Sequence, residues 1–189
     1  MNMHHIIITG ASRGIGHATA LLYASMGWNI SICSRHCDYQ MTQTQDAITA
    51  AGGQYFSFCG DMGNAADAEE FLAKAVQTFG TPEILVNNAG ISHIGLLQDM
   101  TPMQWDDIIR TNLSSVFYTS RVIIPYFLQE KHGRIINVSS VWGSVGASTE
   151  VAYSTTKGGI NAFTKALAKE LAPSGIPVNA VACGMIDTS

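Results

Sequence analysis

Short apolar runs alternate with longer amphipathic stretches from one end of the chain to the other. The short runs are rich in β-branched and aromatic residues and poor in charge, as is typical of buried strands. They predict six strands, at about His5–Thr9, Trp28–Ser34, Gln54–Cys59, Ile84–Asn87, Arg134–Val138 and Val178–Ala182. The stretches between them have the apolar spacing, capping residues and glycine stops of helices.

The helices predicted between these strands carry recognisable start signals. They cover about 14–26, 38–51, 64–79, 101–131 and 149–172. Asn64 is placed to cap the third of them. Thr101, Pro102 and Gln104 form a capping-box signature with proline at the first helical position. Pro125 lacks a backbone donor, and we expect it to bend the fourth helix.

Strands that are apolar throughout, each followed by an amphipathic helix, predict a parallel sheet with both faces covered. The expected fold class is α/β, a doubly wound sheet of Rossmann type in three layers, helix, sheet and helix. We expect residues 1–189 to form one domain of this kind. Ligands of such sheets bind outside the carboxyl ends of the strands, and the motifs below fall at those ends.

Composition and charge narrow the class of partner. The chain has 189 residues, a hydrophobic fraction of 47% and a formal net charge of −4, which gives no basic field for nucleic acid or an anionic membrane. No apolar run approaches the ~18–20 residues that span a bilayer, and residues 1–5 carry no Lys or Arg of a signal peptide. We expect small-molecule partners, no nucleic acid, no membrane, and a cytoplasmic location.

The four cysteines are expected to be free thiols. Cys33 and Cys59 fall in strands predicted to be buried, Cys183 lies just beyond the last strand, and Cys37 lies in a loop. Small buried hydrophobes are the ordinary use of such residues. A metal cluster with His36 is the alternative, but the spacing matches no zinc pattern, and no metal is expected.

Residues 9–16 form a glycine-rich loop, TGASRGIG, between the first strand and the first helix. Gly10 permits the tight turn, Gly14 lets a pyrophosphate approach the backbone, and Gly16 allows the helix to pack closely on the sheet. The free N–H groups of the helix terminus suit phosphates. Any tight strand-to-helix turn also selects glycine, so the loop alone leaves dinucleotide binding open.

The residues at the ends of strands two and three bear on the choice of cofactor. A carboxylate at the end of strand two would bind a ribose 2′-hydroxyl, but Arg35 stands there and Arg13 lies in the glycine loop. Two guanidinium groups suit a dianionic 2′-phosphate, so NADP(H) is preferred and NAD(H) is possible. The alternative is two solvated surface arginines. Asp61, after strand three, is placed to accept from an adenine amino group or to cap the next helix.

Tyr153 and Lys157 lie four residues apart in a predicted helix and therefore share a face. A unit charge about 4 Å away at an effective dielectric of ~20 is worth ~4 kcal/mol, or about three pKa units. Lys157 is thus expected to lower the Tyr153 pKa towards neutrality, although burial would oppose this. Ser140 ends strand five, and Asn112 interrupts an apolar helix face. A surface tyrosine beside a lysine is the alternative.

Taken together, these motifs resemble the short-chain dehydrogenase/reductase family along the whole chain, most closely its 3-oxoacyl-[acyl-carrier-protein] reductase-like members. The matching positions are Thr9 to Gly16, Asn87 to Gly90, Asn112, Ser140, Tyr153 and Lys157. The resemblance implies that a nicotinamide cofactor and the chain interconvert a carbonyl and an alcohol. It implies a proton donor in Tyr153, an orienting hydroxyl in Ser140, a ribose-binding cation in Lys157 and a water-holding amide in Asn112.

The resemblance also implies a set of cofactor contacts and an assembly. The contacts would be Gly10, Ser12, Arg13, Gly14, Ile15, Gly16, Arg35, Asp61, Met62, Asn87, Ala89, Gly90, Tyr153, Lys157, Gly184, Ile186 and Thr188. A homo-oligomer, dimer or tetramer, is expected, with a carbonyl or alcohol compound as substrate.

The chain departs from the family pattern at two places. Cys183–Gly184 stands where Pro-Gly is usual, and the sequence ends at Ser189, where relatives continue. We therefore expect a domain truncated relative to the family, whose sheet lacks the usual last strand. A nucleotide-binding module without turnover and a purely structural subunit are the alternatives to an active reductase.

Overall fold

Six parallel strands form one sheet in the computed structural model, which describes residues 4–187. The strands are β1 His5–Thr9, β2 Asn29–Ser34, β3 Gln54–Cys59, β4 Ile84–Asn87, β5 Arg134–Ser140 and β6 Val178–Cys183. Their order across the sheet is β3-β2-β1-β4-β5-β6. The chain therefore reverses its direction of winding between β1 and β4, and a crevice opens at such a point.

Helices connect the consecutive strands. They are α1 Gly14–Ser25, α2 Tyr39–Ala50, α3 Ala65–Phe79, α4 Pro102–Ile109, α5 Ser115–Glu130, α6 Trp142–Val145 and α7 Val151–Leu171. Asn64 caps α3, and the capping box of Thr101 and Gln104 begins α4. The prediction of a doubly wound α/β sheet is confirmed.

The core lies on both faces of the sheet because successive side chains of a strand point in opposite directions. In β1, Ile6 and Ile8 pack towards α1 and α2, whereas Ile7 packs towards α3, α5 and α7. All three isoleucines are fully buried. Burying one such side chain stabilises the fold by roughly 1.5–3 kcal/mol, so the central strands anchor the carboxyl-end loops firmly.

The irregular segment between β4 and β5 lies earlier than predicted. Helix α5 continues through Pro125, and the break is a π-helical turn at Arg110–Ser114 that joins α4 to α5. This turn holds Asn112, whose amide bonds both backbone groups of Ile91 at 2.8 Å. The wider turn places the amide beside the loop that follows β4, and such turns are frequent at functional sites.

Two of the cysteine predictions were wrong. Cys59 is exposed because β3 is an edge strand, and Cys183 is the last residue of β6 rather than a residue beyond it. Cys33 is buried as expected, and the exposed Cys37 lies close enough to hydrogen bond with the Cys59 thiol.

Most of the large apolar side chains of α5 and α7 face the sheet. Phe127 and Leu167 are buried in the core, and Tyr118 and Phe163 pack against it. Phe117 is 47% exposed. Between residues 4 and 187, no helix has the length and apolar character needed to cross a lipid bilayer.

His5 makes the fold sensitive to acid. Its Nδ1–H donates to the Gly80 carbonyl at 2.9 Å, and its Nε2 accepts from the Ser31 hydroxyl at 2.8 Å. Burial lowers its pKa from 6.5 to about 4, although the bond to Gly80 acts in the opposite direction. Between these two pKa values the unfolded chain binds a proton that the folded chain does not bind, so stability falls as the pH falls.

Because of His5, we expect the free energy of unfolding to be about 2 kcal/mol lower at pH 5 than at pH 7. Urea denaturation at both pH values measures this, and His5→Asn should lose that part of the decrease. The exposed His36→Asn is the control and should keep it. An equal decrease in wild type and His5→Asn would contradict the prediction.

Candidate active site

A crevice of about 710 Å³ opens at the carboxyl ends of β1, β2, β3 and β4. Its volume lies within the ~300–1,000 Å³ typical of small-molecule sites. Ten of the residues predicted to contact a cofactor line it: Gly10, Ser12, Arg13, Gly14, Ile15, Arg35, Asp61, Met62, Ala89 and Gly90. The glycine loop and the carboxyl ends of β2, β3 and β4 thus lie together on the wall of one crevice.

The glycine loop leaves bare backbone on the floor of this crevice. A Cβ atom on Gly10 would lie 2.7 Å from Ala89 Cα, and one on Gly16 would lie 2.5 Å from the Gly10 carbonyl oxygen. Both positions therefore require glycine. Helix α1 begins at Gly14 directly behind the loop, and its first N–H groups have no partner within the helix. This backbone and helix terminus fit the diphosphate of a dinucleotide.

Asn88 fixes the position of the glycine loop, a role that was not predicted. Its Nδ2 donates to the carbonyl oxygens of Thr9 and Gly10 at 3.0 and 2.8 Å. The backbone N–H groups of Asn88 and Ala89 both donate to the Thr9 hydroxyl at 3.0 Å. The end of β4 is thereby bonded to the end of β1 on the crevice wall.

Thr111 is a further crevice residue that the sequence interpretation missed. Its Oγ1 is the one buried side-chain polar atom in residues 4–187 without a hydrogen-bond partner. Thr111 also lines the crevice. An unsatisfied buried hydroxyl costs roughly 1–3 kcal/mol, so a polar group of a bound ligand would relieve it. Its place next to Asn112 was the only available sequence signal.

Asp61 lies on the crevice wall but does not cap the following helix, because Asn64 does so. Its Oδ1 accepts from the Gly63 N–H at 2.9 Å, and its Oδ2 pairs with Arg110 Nη1 at 2.5 Å. Burial acts to raise the Asp61 pKa, but the bonds from Arg110 and Gly63 leave the pKa below its usual value. The Asp61 carboxylate therefore forms an ion pair with Arg110, which lies on the π-helical turn.

Asn87, one of the residues predicted to lie beside the cofactor, is buried at the end of β4. Its Nδ2 donates to Asn137 Oδ1 at 2.9 Å, and its Oδ1 accepts from the Thr119 hydroxyl at 2.7 Å. Asn137 in turn donates to the Thr164 hydroxyl at 2.9 Å. These buried bonds join β4, β5, α5 and α7, so the contribution of Asn87 is to align the elements below the site.

The structure brings Ser140, Tyr153 and Lys157 together at the carboxyl end of β5. Ser140 ends the strand, Tyr153 lies in the first turn of α7, and Lys157 lies one turn later. The Tyr153 phenol hydrogen bonds with Ser140. Lys157 Nζ donates to the Val138 carbonyl at 2.7 Å and lies 5.5 Å from the centre of the Tyr153 ring.

The Tyr153 pKa does not fall towards neutrality as predicted, because burial outweighs the effects that lower it. Burial raises the Tyr153 pKa, and the Ser140 hydrogen bond, which lowers it, is opposed by the charges of Glu150 and Cys183. For Lys157, burial also disfavours the charged form, and it therefore lowers the pKa to about 8. The ammonium is bonded to a backbone carbonyl, and both groups are withdrawn from water. At neutral pH the site therefore holds a neutral phenol above a protonated amine.

Close packing of α6 against α7 holds Lys157 in this place. A Cβ atom on Gly143 would lie 2.6 Å from the Lys157 carbonyl carbon, so only glycine allows the approach. The Ser139 hydroxyl donates to Asn161 Oδ1 at 2.7 Å and lies 3.2 Å from the Lys157 carbonyl oxygen. Neither Gly143 nor Asn161 had a sequence signal of its own, since both act through tertiary contacts.

Asn112 is fully buried and bonded to protein groups rather than open to the crevice. Besides Ile91, its Nδ2 donates to the Thr156 hydroxyl at 3.2 Å. Thr156 precedes Lys157, so Asn112 connects the loop after β4 with the turn of α7 that carries the amine. Both polar atoms of the amide have protein partners, which position Asn112 between the two segments, and its predicted water-holding role stays a prediction.

The remaining predicted cofactor contacts follow β6 or lie outside the described residues. Gly184 is exposed, with nothing within 4 Å of an added Cβ. Ile186 is half-exposed and lines a second groove, which it shares with Gly14 and Ile15 of the glycine loop. Thr188 lies outside residues 4–187.

Comparison with known proteins gives consistent matches. The model of the family described as short chain dehydrogenase matches residues 4–189. A 3-oxoacyl-[acyl-carrier-protein] reductase of Staphylococcus aureus is 39% identical over 180 residues, which is 95% of this chain and 73% of the relative. A D-beta-hydroxybutyrate dehydrogenase of Cupriavidus necator is 38% identical over 188 residues, 100% of this chain and 72% of the relative.

A solved structure agrees with the sequence matches. A metagenomic short-chain oxidoreductase in complex with NADP superposes with a TM-score of 0.91 and 32% sequence identity. The match covers 97% of this chain and 82% of that one.

The buried amine of Lys157 predicts a measurable pH dependence of stability. Its pKa is about 8 in the folded chain against 10.5 for a free lysine, so the unfolded chain holds more protons between these values. Stability therefore rises with pH in this window. We expect the free energy of unfolding of the wild type to rise by about 2 kcal/mol relative to Lys157→Met between pH 7.5 and pH 9.5.

Chemical denaturation at the two pH values provides the measurement. The exposed Lys165→Met on the same helix is the matched control and should follow the wild type. If Lys157→Met and the wild type changed in parallel, the amine would not be desolvated as described.

Proposed function

The chain belongs to the short-chain dehydrogenase family, and we propose that it is an NADP(H)-dependent reductase of 3-oxoacyl thioesters. Oxidoreductases of this family act on CH–OH groups, and this chain is one of them. The observation that carries the proposal is the meeting of Ser140, Tyr153 and Lys157 at the end of β5, beside a crevice that fits a dinucleotide.

In this proposal the chain supplies the proton and the orientation. The cofactor, when bound, supplies a hydride to the substrate carbon. Ser140 hydrogen bonds to the carbonyl oxygen and holds it beside the phenol. Tyr153 donates its proton to that oxygen as the alcohol forms, and the adjacent Lys157 ammonium stabilises the phenolate that remains. Solvent protons then restore the phenol.

NADP(H) is the proposed cofactor because two arginines lie on the crevice wall and no carboxylate occupies position 35. Arg13 and Arg35 both line the crevice and are exposed, so each can reach a ligand phosphate. Charge-assisted and bidentate bonds of this kind are stronger than neutral ones. Position 35 is therefore expected to discriminate between the phosphorylated and unphosphorylated cofactors.

The proposal extends to a cytoplasmic homo-oligomer, a dimer or tetramer. Support for assembly comes from apolar side chains that stand out from α4 and α5, where Met103 is 79% and Phe117 47% exposed. Such exposed apolar side chains could contribute to a subunit contact if they lie together in one patch.

Tyr153→Phe is expected to lower turnover at least ~100-fold, because it removes the general acid. The Kd for NADPH should stay within about twofold, since the ring and its packing remain. NADPH oxidation with acetoacetyl thioesters and a panel of small ketones and aldehydes measures turnover, and Tyr55→Phe on the exposed edge strand is the control. Wild-type turnover in Tyr153→Phe would refute the assignment of the proton donor.

Arg35→Ala is expected to weaken NADPH binding by roughly 10–100-fold, because one charge-assisted bond is worth ~1.5–3 kcal/mol. NADH lacks the 2′-phosphate, so its Kd should change by about twofold or less. Titration of both cofactors against wild type, Arg35→Ala and the exposed control Arg121→Ala tests this. Equal losses for NADPH and NADH, or tighter NADH binding by the wild type, would contradict the proposed cofactor preference.

A further inference from the structure

Glu150 lies next to the proposed chemistry and is held there by the loop that follows β4. It precedes the first residue of α7 and stands three positions before Tyr153. Its Oε2 accepts from the Ser92 hydroxyl at 3.2 Å, and the Gly95 N–H donates to the Thr149 carbonyl at 2.8 Å. These two bonds join segment 92–95 to segment 149–150 beside the site.

The backbone before Glu150 adopts a conformation that its sequence does not favour. Thr149 has φ 64°, in the left-handed region, where a β-branched residue is a genuine outlier. Strain of this kind persists only where surrounding contacts fix the chain, and it is concentrated at functional sites. Thr149 thus presents Glu150 to the loop at a definite position.

Glu150 stands directly before α7, about one turn before Tyr153, and its negative charge reaches the phenol. Its negative charge is one of the causes, after burial, that raise the Tyr153 pKa. In the proposed function the substrate carbonyl oxygen lies beside the Tyr153 phenol, so the same field reaches the atoms attached to that carbonyl. A second negative charge there would be repelled, whereas a neutral group would not.

The segments around the site offer no fixed cation to offset this charge. Residues 91–95, 141–149 and 183–187 contain no Lys or Arg, and their titratable side chains are His93, Cys183 and Asp187. The nearby ammonium, on Lys157, is almost fully buried and donates to the Val138 carbonyl. A substrate with a free carboxylate one carbon away from its reacting carbonyl would therefore be repelled by Glu150. No Lys or Arg of these segments would offset that repulsion.

The relatives do not decide between a neutral thioester and a free carboxylate as the substrate of this chain. They include a reductase whose name specifies a 3-oxoacyl thioester, which is neutral beside the ketone, and a dehydrogenase whose name specifies D-beta-hydroxybutyrate, which carries a free carboxylate. Their identities to this chain are nearly the same, so overall similarity does not distinguish the two substrate classes. The two substrate classes differ in the charge beside the ketone, so a charged side chain near the site could distinguish them.

We propose that Glu150 determines substrate specificity by excluding compounds with a free carboxylate beside the reacting carbonyl, in favour of neutral thioesters or esters. The inference rests on the proposed reductase function. Exclusion by an unpaired like charge is a common means of specificity, since it acts on the wrong substrate and leaves the right one unaffected.

The test compares acetoacetate, which has a free carboxylate at this position, with ethyl acetoacetate, which has a neutral ethyl ester there. The ratio of kcat/KM for acetoacetate to kcat/KM for the ester is measured for wild type, Glu150→Gln and Glu150→Lys. We expect the ratio to rise about tenfold in Glu150→Gln and further in Glu150→Lys. Using a ratio cancels any effect of these variants on Tyr153 itself.

Two controls separate this effect from a general change of charge or structure. The exposed Glu69→Gln should leave the ratio at its wild-type value. Glutamine at position 150 retains an oxygen that can accept from Ser92, so that loop contact is preserved. Added salt should raise the ratio in the wild type more than in Glu150→Gln, because screening weakens the repulsion.

A ratio unchanged in both Glu150 variants, or equal wild-type efficiency with acetoacetate and the ester, would overturn the assignment of Glu150 while leaving the reductase intact. Failure of the wild type to reduce ethyl acetoacetate or acetoacetyl thioesters, with NADPH bound, would instead overturn the proposed function and the inference with it.

Discussion

Burying an ammonium group at the end of a parallel sheet is unfavourable unless nearby oxygen atoms accept hydrogen bonds from it. This requirement organises the site. Lys157 meets it through the Val138 carbonyl, which fixes α7 against β5. Gly143 permits the close approach of α6, and Asn161 bonds Ser139 from the next turn of α7. The tyrosine and serine are placed by the same elements, so the position of the amine determines the geometry of the other two groups.

The crevice and the chemical groups are joined through buried polar bonds rather than through apolar packing alone. Asn88 bonds the glycine loop to the end of β4, and Asn87 bonds β4 to β5 through Asn137. Asn112 adds a connection from the loop after β4 to the start of α7. Buried amides of this kind are specific because each unmade bond is expensive. A shift of one strand end would therefore disturb both halves of the site.

The sequence was sufficient for features that depend on local pattern. The limits of β1, β3 and β4 follow from isolated apolar runs, and the starts of α3 and α4 follow from the caps Asn64 and Thr101. It was insufficient where tertiary surroundings decide. Spacing placed Lys157 near Tyr153 but gave neither the Val138 carbonyl nor the burial that reverses the expected shift in the tyrosine pKa.

In the proposed reductase function, the protonation states of this site suit proton donation to a carbonyl oxygen. Because the Tyr153 pKa is raised, the phenol keeps its proton at neutral pH and is ready to give it to a carbonyl oxygen. Lys157, with a pKa of about 8, is mostly charged at the same pH and lies beneath the ring. The phenolate formed by proton donation is thus created next to a positive charge that was costly to bury alone. Burial of the Lys157 ammonium is unfavourable before the reaction, and its attraction to the new phenolate partly offsets that desolvation. A preorganised site stabilises a product-like state in this way.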